Sequence, residues 1–231
     1  AKSKVIAKGY CGEKSYITEE KRTDVKWELR ENGTMVISGK GNMVDCPEDT
    51  LRKWDYMCKI KKVVFKEGIE YVGQDAFFGC ENLEKIVWAK SIKEVGSEAF
   101  SWCSSLKEVE IPTGVERWGK GVFSYSGLKE VTIPASRTYW EADAFAECDD
   151  LKKVVFEEGI KFRILDFEDD FDDETSGTRM FSNCKSLKEV VFPKKMKVIP
   201  DYIFDGCDKL KKYQWPDGVK YKGWSPEKSE E

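Results

Sequence analysis

Cysteine is the most reactive residue type that recurs in this 231-residue chain, and histidine, its usual catalytic partner, is absent. Serine triads, cysteine–histidine dyads and histidine-ligated metal sites all require an imidazole, so the sequence excludes them in their usual forms. Five of the eight cysteines close the same short phrase, F-x-x-C, and these are Cys80, Cys103, Cys148, Cys184 and Cys207. Cys58 holds the equivalent place before the first full phrase, and Ser126 replaces cysteine in another. The spacing therefore predicts one column of cysteines.

This column has two interpretations. A thiol packs as a small apolar side chain, so a stack of buried cysteines is one of them. A ladder of disulfides is the other, although it needs Cα and Cβ separations that regular stacking does not guarantee. Zinc is less favoured, because the chain contains no Cys-x-x-Cys pair. Cys11 and Cys46 lie outside the column and are able to form one bridge if the protein is secreted.

A dense group of carboxylates is the second feature with chemical potential. Oxygen ligands at alternating positions suit calcium, clustered negative charge suits a basic partner, and a solvated loop is the plain alternative. Glycoside hydrolysis needs two carboxyl groups held at a fixed separation, which a run of acids does not supply. We therefore predict no enzyme activity and no catalytic residue. The seven carboxylates are Asp166, Glu168, Asp169, Asp170, Asp172, Asp173 and Glu174, and the predicted contacts are Asp169, Asp170, Asp172 and Asp173.

Charge and hydropathy exclude further classes of protein. The 39 basic and 43 acidic residues leave a net charge of -4 and are mixed along the chain, so we predict no nucleic-acid binding. No apolar stretch approaches the roughly 20 residues that cross a bilayer, so we predict no membrane insertion. The chain begins at Ala1 without methionine or an apolar leader, which suggests either a mature form whose signal peptide has been removed or an artificially shortened one, so the missing signal peptide is uninformative. We also expect a monomer without cofactors.

An internal repeat supplies the elements that must position these residues. Its units, called rungs here, follow one another in steps of 23, 23, 22, 23, 36 and 23 residues. A period of this length is typical of a solenoid, in which each coil buries its apolar face on its neighbours. The long step contains an insertion at about 165–178 that includes the acidic run. The rungs begin at Ile60, Leu83, Leu106, Leu128, Leu151, Leu187 and Leu210.

Each rung repeats the same pattern of apolar residues. In the second rung Leu83, Ile86 and Trp88 predict an inward-facing strand, and stacked strands predict a narrow parallel sheet. A second inward pair follows, and then a glycine such as Gly96, for which we expect a backbone conformation costly to other residues. The outer segment after it is predicted to be a helical turn. Its phenylalanines are predicted to stack through the core as Phe77, Phe100, Phe123, Phe145, Phe181 and Phe204.

Two regions depart from this pattern. Residues 1–59 contain "VKWEL" and "TMVIS" around "RENG", an Asn-Gly hairpin signal, and we predict a β-hairpin cap over the first rung. Its predicted buried face is Trp27, Leu29, Met35 and Ile37. In the fourth rung Arg137 replaces an apolar residue and Glu141 replaces the glycine, so we predict a local bend there.

These motifs resemble a known family. "LKEVEIPTGVERWGKGVF" and "AFSWCSSLKEV" look like the BspA-like leucine-rich repeats of bacterial surface proteins, and residues 1–59 resemble the region before the repeats. The resemblance implies an α/β repeat: a right-handed leucine-rich-repeat solenoid with a parallel concave sheet, short helical turns outside and an N-terminal hairpin cap. It also implies an exported, surface-displayed protein that mediates adhesion or protein–protein interaction.

The concave sheet is the predicted binding surface, because side chains flanking the central inward residue of each strand point outward. A mixed-charge column beside a partly apolar column suits a protein or peptide ligand, although valine also favours strands for its own sake. A calcium- or glycan-dependent module that uses the acidic loop, and a structural spacer in a longer surface protein, stay open as alternatives. The predicted contacts are Lys62, Lys85, Glu108 and Glu130 in one column, and Val64, Val87, Glu110, Thr132, Val155 and Val191 in the other.

Overall fold

A computed structural model describes residues 3–12, 24–45, 56–136, 139–160, 179–194, 198–199, 202–210 and 220–221. Within these ranges the chain consists of short strands and turns, with a single 3-10 helix at Met57–Lys59. The strands are β1 (Val5–Tyr10), β2 (Lys26–Arg30), β3 (Thr34–Ser38), β4 (Gly41–Asn42), β5 (Lys62–Phe65), β6 (Ile69–Val72), β7 (Lys85–Val87), β8 (Glu94–Val95), β9 (Arg117–Trp118), β10 (Glu130–Ile133), β11 (Tyr139–Trp140), β12 (Lys153–Phe156), β13 (Glu189–Val191), β14 (Val198–Ile199) and β15 (Lys220–Tyr221).

The repeats pair through parallel strands that meet at the same point of each rung. The order β1-β2-β3-β5-β7 forms one sheet, and β10-β12-β13 forms another. In the first sheet β1, β2 and β3 are antiparallel, whereas β3 pairs with β5 and β5 with β7 in parallel. Leu29, Met35 and Ile37 are fully buried. Trp27 is only partly buried. Its indole ring packs on Gly9 of β1, where an added Cβ atom would lie 2.9 Å from the ring.

The sheet is interrupted at the third rung, where the sequence predicts a continuous one. Residues 106–111 form no strand. The third rung is one residue shorter than its neighbours, at the corner before Leu128, and a Cβ atom on Gly127 at this corner would lie 2.0 Å from the Ser104 carbonyl oxygen. The interruption of the sheet therefore coincides with this shortened corner.

A second parallel sheet, ordered β11-β9-β8-β6-β4, lies one corner further along each rung. The glycines after its strands are required by close packing. A Cβ atom on Gly119 would lie 2.4 Å from the Ser97 nitrogen of the rung before, and φ is not positive there, contrary to our expectation. The predicted bend at Glu141 is also wrong, because its N–H donates to the Trp118 carbonyl at 3.0 Å as in the other rungs. Arg137 lies outside the described residues.

The outer segments are chains of turns, and the predicted helical turns are not confirmed. Two residues of each segment have φ between 53° and 71°, which a right-handed helix does not allow. Alternate N–H groups donate to carbonyls of the next rung, so the segments form a third ladder of inter-rung hydrogen bonds. In the first rung the pairs are Asp75 with Ser97, Phe77 with Ala99 and Gly79 with Ser101, at 3.0, 2.8 and 2.9 Å. Within the outer segments the residues with positive φ are Asp75, Gly79, Glu98, Trp102, Gly121, Tyr125, Asp143, Glu147, Arg179, Asn183, Tyr202 and Gly206.

The core is a ladder of phenylalanines, as the repeat predicts. Neighbouring rings of Phe77, Phe100, Phe123, Phe145, Phe181 and Phe204 are stacked, with centroids 5.2 to 5.8 Å apart. Shorter stacks lie beside this ladder, for example Trp118 on Trp140 at 5.0 Å. Offset-stacked rings add to the free energy gained by burial, so the ladder ties each rung to the next.

Candidate functional site

The strands of the predicted concave sheet, called the concave strands here, place one column of side chains inside and the flanking columns outside. In β5 the residues Val63 and Phe65 are buried while Lys62 and Val64 are partly exposed. In β7 the same alternation buries Ile86 and leaves Lys85 and Val87 outside. This is the period-2 pattern of a strand with one face in the core. The outward columns therefore lie where the sequence predicts them in these rungs.

The first two rungs form what we call the N-terminal patch: Val36, Lys62, Val64, Lys85 and Val87. Parallel register sets Val36 beside Val64 and Val64 beside Val87, and it sets Lys62 beside Lys85. Val36 extends the apolar column into the N-terminal region, which the sequence did not predict as part of the surface. The patch is a short apolar strip flanked by two positive charges.

The fourth to sixth rungs form the C-terminal patch: Glu130, Thr132, Lys153, Val155, Glu189 and Val191. Register sets Thr132, Val155 and Val191 side by side, and Val191 is 40% exposed. In the flanking column the Lys153 ammonium lies 2.8 Å from the Glu189 carboxylate. This hydrogen bond raises the pKa of Lys153. Charge is thus largely balanced within this patch.

Glu108 and Glu110 separate the two patches. Both are exposed, and both lie in the segment that forms no strand. The predicted columns are therefore divided into a basic, apolar patch and a mixed patch, with two carboxylates between them. The predicted contacts Asp169, Asp170, Asp172 and Asp173 lie outside the described residues. Among the described residues, no three Cys, Asp or Glu side chains are grouped as a metal site requires.

The cysteine column is structural. Four thiols donate to the carbonyl of the phenylalanine one rung earlier, at 3.1 to 3.5 Å: Cys103 to Phe77, Cys148 to Phe123, Cys184 to Phe145, and Cys207 to Phe181. Burial raises the pKa of the Cys80 thiol to about 12 and that of Cys103 well above its usual value. Cys80 and Cys103 therefore stay protonated near neutral pH and are poor nucleophiles. Cys11 is buried, and its predicted partner Cys46 lies outside the described residues.

A groove on the outer turns is a feature that the sequence analysis missed. It has a volume of about 250 Å³ and crosses the second to fifth rungs. Trp102 and Tyr125 stand on one wall, and their rings are stacked with centroids 4.3 Å apart and planes 8° apart. They are 49% and 42% exposed. The signal was available, because these are the only aromatic residues of the repeat that occupy the second slot after the ladder phenylalanine.

Parallel strands stacked at a period of 23 residues around a phenylalanine ladder define a leucine-rich-repeat protein. The model for the BspA type leucine rich repeat region matches six copies over residues 54–169 and 172–225. The chain belongs to this family. The repeats of this family are generally non-enzymatic protein-interaction modules. In the described residues no helix is long and apolar enough to cross a membrane.

Two solved bacterial structures have a similar fold. A leucine-rich repeat protein from Bacteroides ovatus is 23% identical with a TM-score of 0.57, and the match covers 87% of this chain and 54% of that protein. One from T. pallidum is 22% identical with a TM-score of 0.57, and the match covers 87% and 95% of the two chains. The chain thus spans about half of the Bacteroides ovatus protein. No curated protein sequence matches it.

Proposed function

We propose that this chain is a non-enzymatic, exported protein that is displayed on a bacterial surface and binds another protein through its concave face. In this proposal residues 1–59 are the cap and residues 60–231 are a right-handed solenoid of repeats. The single observation that supports it most is the N-terminal patch, in which three outward valines stand in register beside two lysines. Membership in a family of bacterial interaction modules agrees with this assignment.

The N-terminal patch also suggests the chemistry of the partner. Outward valines in neighbouring rungs offer a strip of apolar surface, and Lys62 and Lys85 add positive charge along one side of it. An apolar strip with a charged rim is typical of the centre of a protein interface. A segment with apolar side chains and an acidic flank fits this patch, whereas Glu108 and Glu110 repel acidic groups that extend beyond it.

A binding screen with matched variants tests the proposal. The purified chain is screened against a protein array, and each hit is measured again with the double variant Val87→Asp/Val155→Asp. We expect binding to fall by about tenfold or more, because a charge is placed in the apolar column of each patch. Tyr10→Asp is the control, since Tyr10 is 65% exposed on β1 and lies outside both patches. Equal affinity of the double variant and the control would contradict the assignment of the concave face.

Localisation needs its own measurement. Intact cells of the source bacterium are treated with a protease that does not enter them, and the chain is then detected with an antibody. Cleavage in intact cells supports surface display. Protection in intact cells, together with cleavage after lysis, contradicts it.

A further inference from the structure

The outer groove is built from three slots that recur in every rung. The floor carries small side chains in the rungs that it crosses: Ser101, Ser124, Ala146 and Ser182. The residues in the two walls are Glu98, Gly121, Asp143 and Arg179 on one side, and Trp102, Tyr125, Glu147 and Asn183 on the other. In the first and sixth rungs the floor slot holds the larger Phe78 and Asp205, which limit the groove to four rungs, or roughly 15 Å at the spacing of strands.

The backbone at the two aromatic residues of this groove adopts a conformation that is unfavourable for large side chains. Trp102 and Tyr125 have φ values of 61° and 55°, which disfavour bulky side chains. Both rings are about half exposed, so the stability that they add by burial is limited. The same positive φ recurs at these slots in the other rungs, so it belongs to the repeat; what distinguishes Trp102 and Tyr125 is that two large, half-exposed rings are stacked in the wall of a groove.

One face of the stack is open. Tyr125 covers one face of the Trp102 ring, and the same slot in the preceding rung is Gly79. A Cβ atom on Gly79 would meet no atom within 4 Å, so there is open space beside it. A flat ring of a ligand placed there becomes the third layer of the stack.

The polar groups that line the groove are of mixed kind. Three carboxylates, those of Glu98, Asp143 and Glu147, face two cationic groups, those of Lys120 and Arg179. Arg179 lies 3.9 Å from Asp143, and Asn183 donates to Glu147 at 2.7 Å. Such a lining offers both donors and acceptors with little net charge.

The backbone N–H groups of the aromatic wall already have hydrogen-bond partners. The N–H groups of Trp102 and Tyr125 donate to the carbonyls of Ser124 and Ala146 in the next rungs, at 2.9 and 3.0 Å. An extended peptide that adds to a sheet needs exposed N–H and C=O groups, and these wall residues do not offer their N–H groups. A ligand has to bind through aromatic stacking and side-chain hydrogen bonds instead.

We propose that the outer groove binds a neutral oligosaccharide, with sugar rings along the groove and a terminal ring that extends beyond its end to stack on the open face of Trp102 above Gly79. The apolar C–H face of a pyranose packs on an aromatic ring, as the open side of Trp102 allows. Its hydroxyl groups both donate and accept, which matches carboxylate, amide and cationic groups in one lining. A groove of roughly 15 Å accommodates about three sugar rings. This site lies on the outer turns, shares no residue with the two concave patches and does not depend on them.

Titration with soluble saccharides tests the proposal. The probes are neutral gluco-, manno- and N-acetylglucosamine oligosaccharides of three to six units, added to the purified chain and followed by calorimetry and by indole N–H signals in NMR spectra. We expect at least one series to bind with a Kd of about 1 mM or lower. Absence of binding by every series at about 10 mM would overturn the proposal.

Variants designed to preserve the fold locate the site. Trp102→Asn is expected to fold, because Asn183 occupies the same slot with positive φ and asparagine tolerates that conformation better than tryptophan does. Its Tm should stay equal or rise, while saccharide affinity falls about tenfold or more. Gly79→Asn should also block binding by filling the open space beside Trp102.

Tyr202→Asn is the matched control, since Tyr202 is 48% exposed with positive φ but lies outside the groove. Saccharide binding that survives both Trp102→Asn and Gly79→Asn would overturn the site. A short acidic or basic peptide that binds in place of the saccharides and is lost in Trp102→Asn would overturn the class of ligand.

Discussion

The concave strands and the outer turns join the same rungs in different ways. The concave sheet is interrupted at the third rung, and its outward columns change from basic to acidic to mixed along the chain. The outer segments have positive φ at the same two slots from the first rung to the sixth. Across that span they also carry the phenylalanines and hold a cysteine or serine at a fixed slot, and from the first rung to the fifth they donate hydrogen bonds to the next rung.

This difference shows which part of the repeat specifies the fold. The outer turns and their inward side chains are the constant part, and they keep the rungs stacked even where the sheet fails. The concave strands then need only keep one buried residue in register, so their outward residues are free to vary. A surface that varies on a constant frame is suited to recognition.

The largest expected effect compares the two regions within one rung. Phe100→Ala should lower the free energy of unfolding by about 3 to 5 kcal/mol, because it opens a cavity between two stacked rings. Val87→Ala on the concave face should cost about 1 kcal/mol or less, since Val87 is only partly buried. Urea unfolding of both variants measures the difference. Similar losses in the free energy of unfolding for the two variants would show that the concave strands stabilise the fold as much as the phenylalanine ladder does.

A smaller effect is expected where rungs pack backbone against backbone. Gly119→Ala should destabilise by about 1 to 3 kcal/mol, because its Cβ would lie 2.4 Å from the Ser97 nitrogen. Gly114→Ala is the control, since the nearest atom to a Cβ there is the Lys90 carbonyl oxygen at 3.7 Å. Thermal unfolding should therefore separate the two variants. Equal Tm values for the two variants would mean that neighbouring rungs accommodate the added Cβ atom at residue 119 without loss of stability.

The cysteine column predicts a dependence on pH. Burial raises the pKa of Cys80 to about 12 from 9.0, so the unfolded chain loses this proton first as the pH rises. The thiol's contribution to stability is therefore complete below about pH 9 and is lost as the pH rises toward 12, by about 1.4 kcal/mol per pH unit. Cys80→Ser, which copies Ser126 of the third rung, should flatten this decline. Parallel stability curves for the two proteins above pH 9 would contradict the prediction.

The smallest effect concerns the interruption of the concave sheet. Inserting one serine after Ser126 restores the 23-residue step and relieves the close approach of Gly127 to Ser104. We expect amide protons of residues 108–110 to exchange more slowly with solvent, because strand pairing to β7 and β10 becomes possible. Hydrogen exchange read by NMR measures this locally. Unchanged exchange would show that the shortened corner does not cause the interruption.

Much of the fold could be predicted from the period of the sequence. Apolar residues that recur every 23 residues must occupy the same place in each coil, and this placed Phe77 and Phe100 in one stack and Lys62 and Lys85 side by side. The antiparallel pairing of β2 with β3 followed from a turn signal in the same way. These features depend on hydrophobic order and local turn chemistry, both of which a single sequence carries.

The features that escaped prediction depend on contacts between rungs. Glycine usually marks positive φ, but here Trp102 and Tyr125 adopt it, whereas Gly96 and Gly119 serve close packing instead. The missing residue before Leu128 was visible as a 22-residue step, yet its effect on the preceding strand was not. The outer groove appears only when slots of four rungs are brought together. Site residues in the acidic run remain predictions.

Strands β12 and β13 pair in register, Lys153 beside Glu189, although 36 residues separate these partners instead of the usual 23. The stack therefore accepts added length between these two strands without losing alignment. This junction offers a permissive position for grafting: an affinity tag, a fluorescent reporter or a whole foreign domain with adjacent ends could be spliced in there while both neighbouring coils keep their shape.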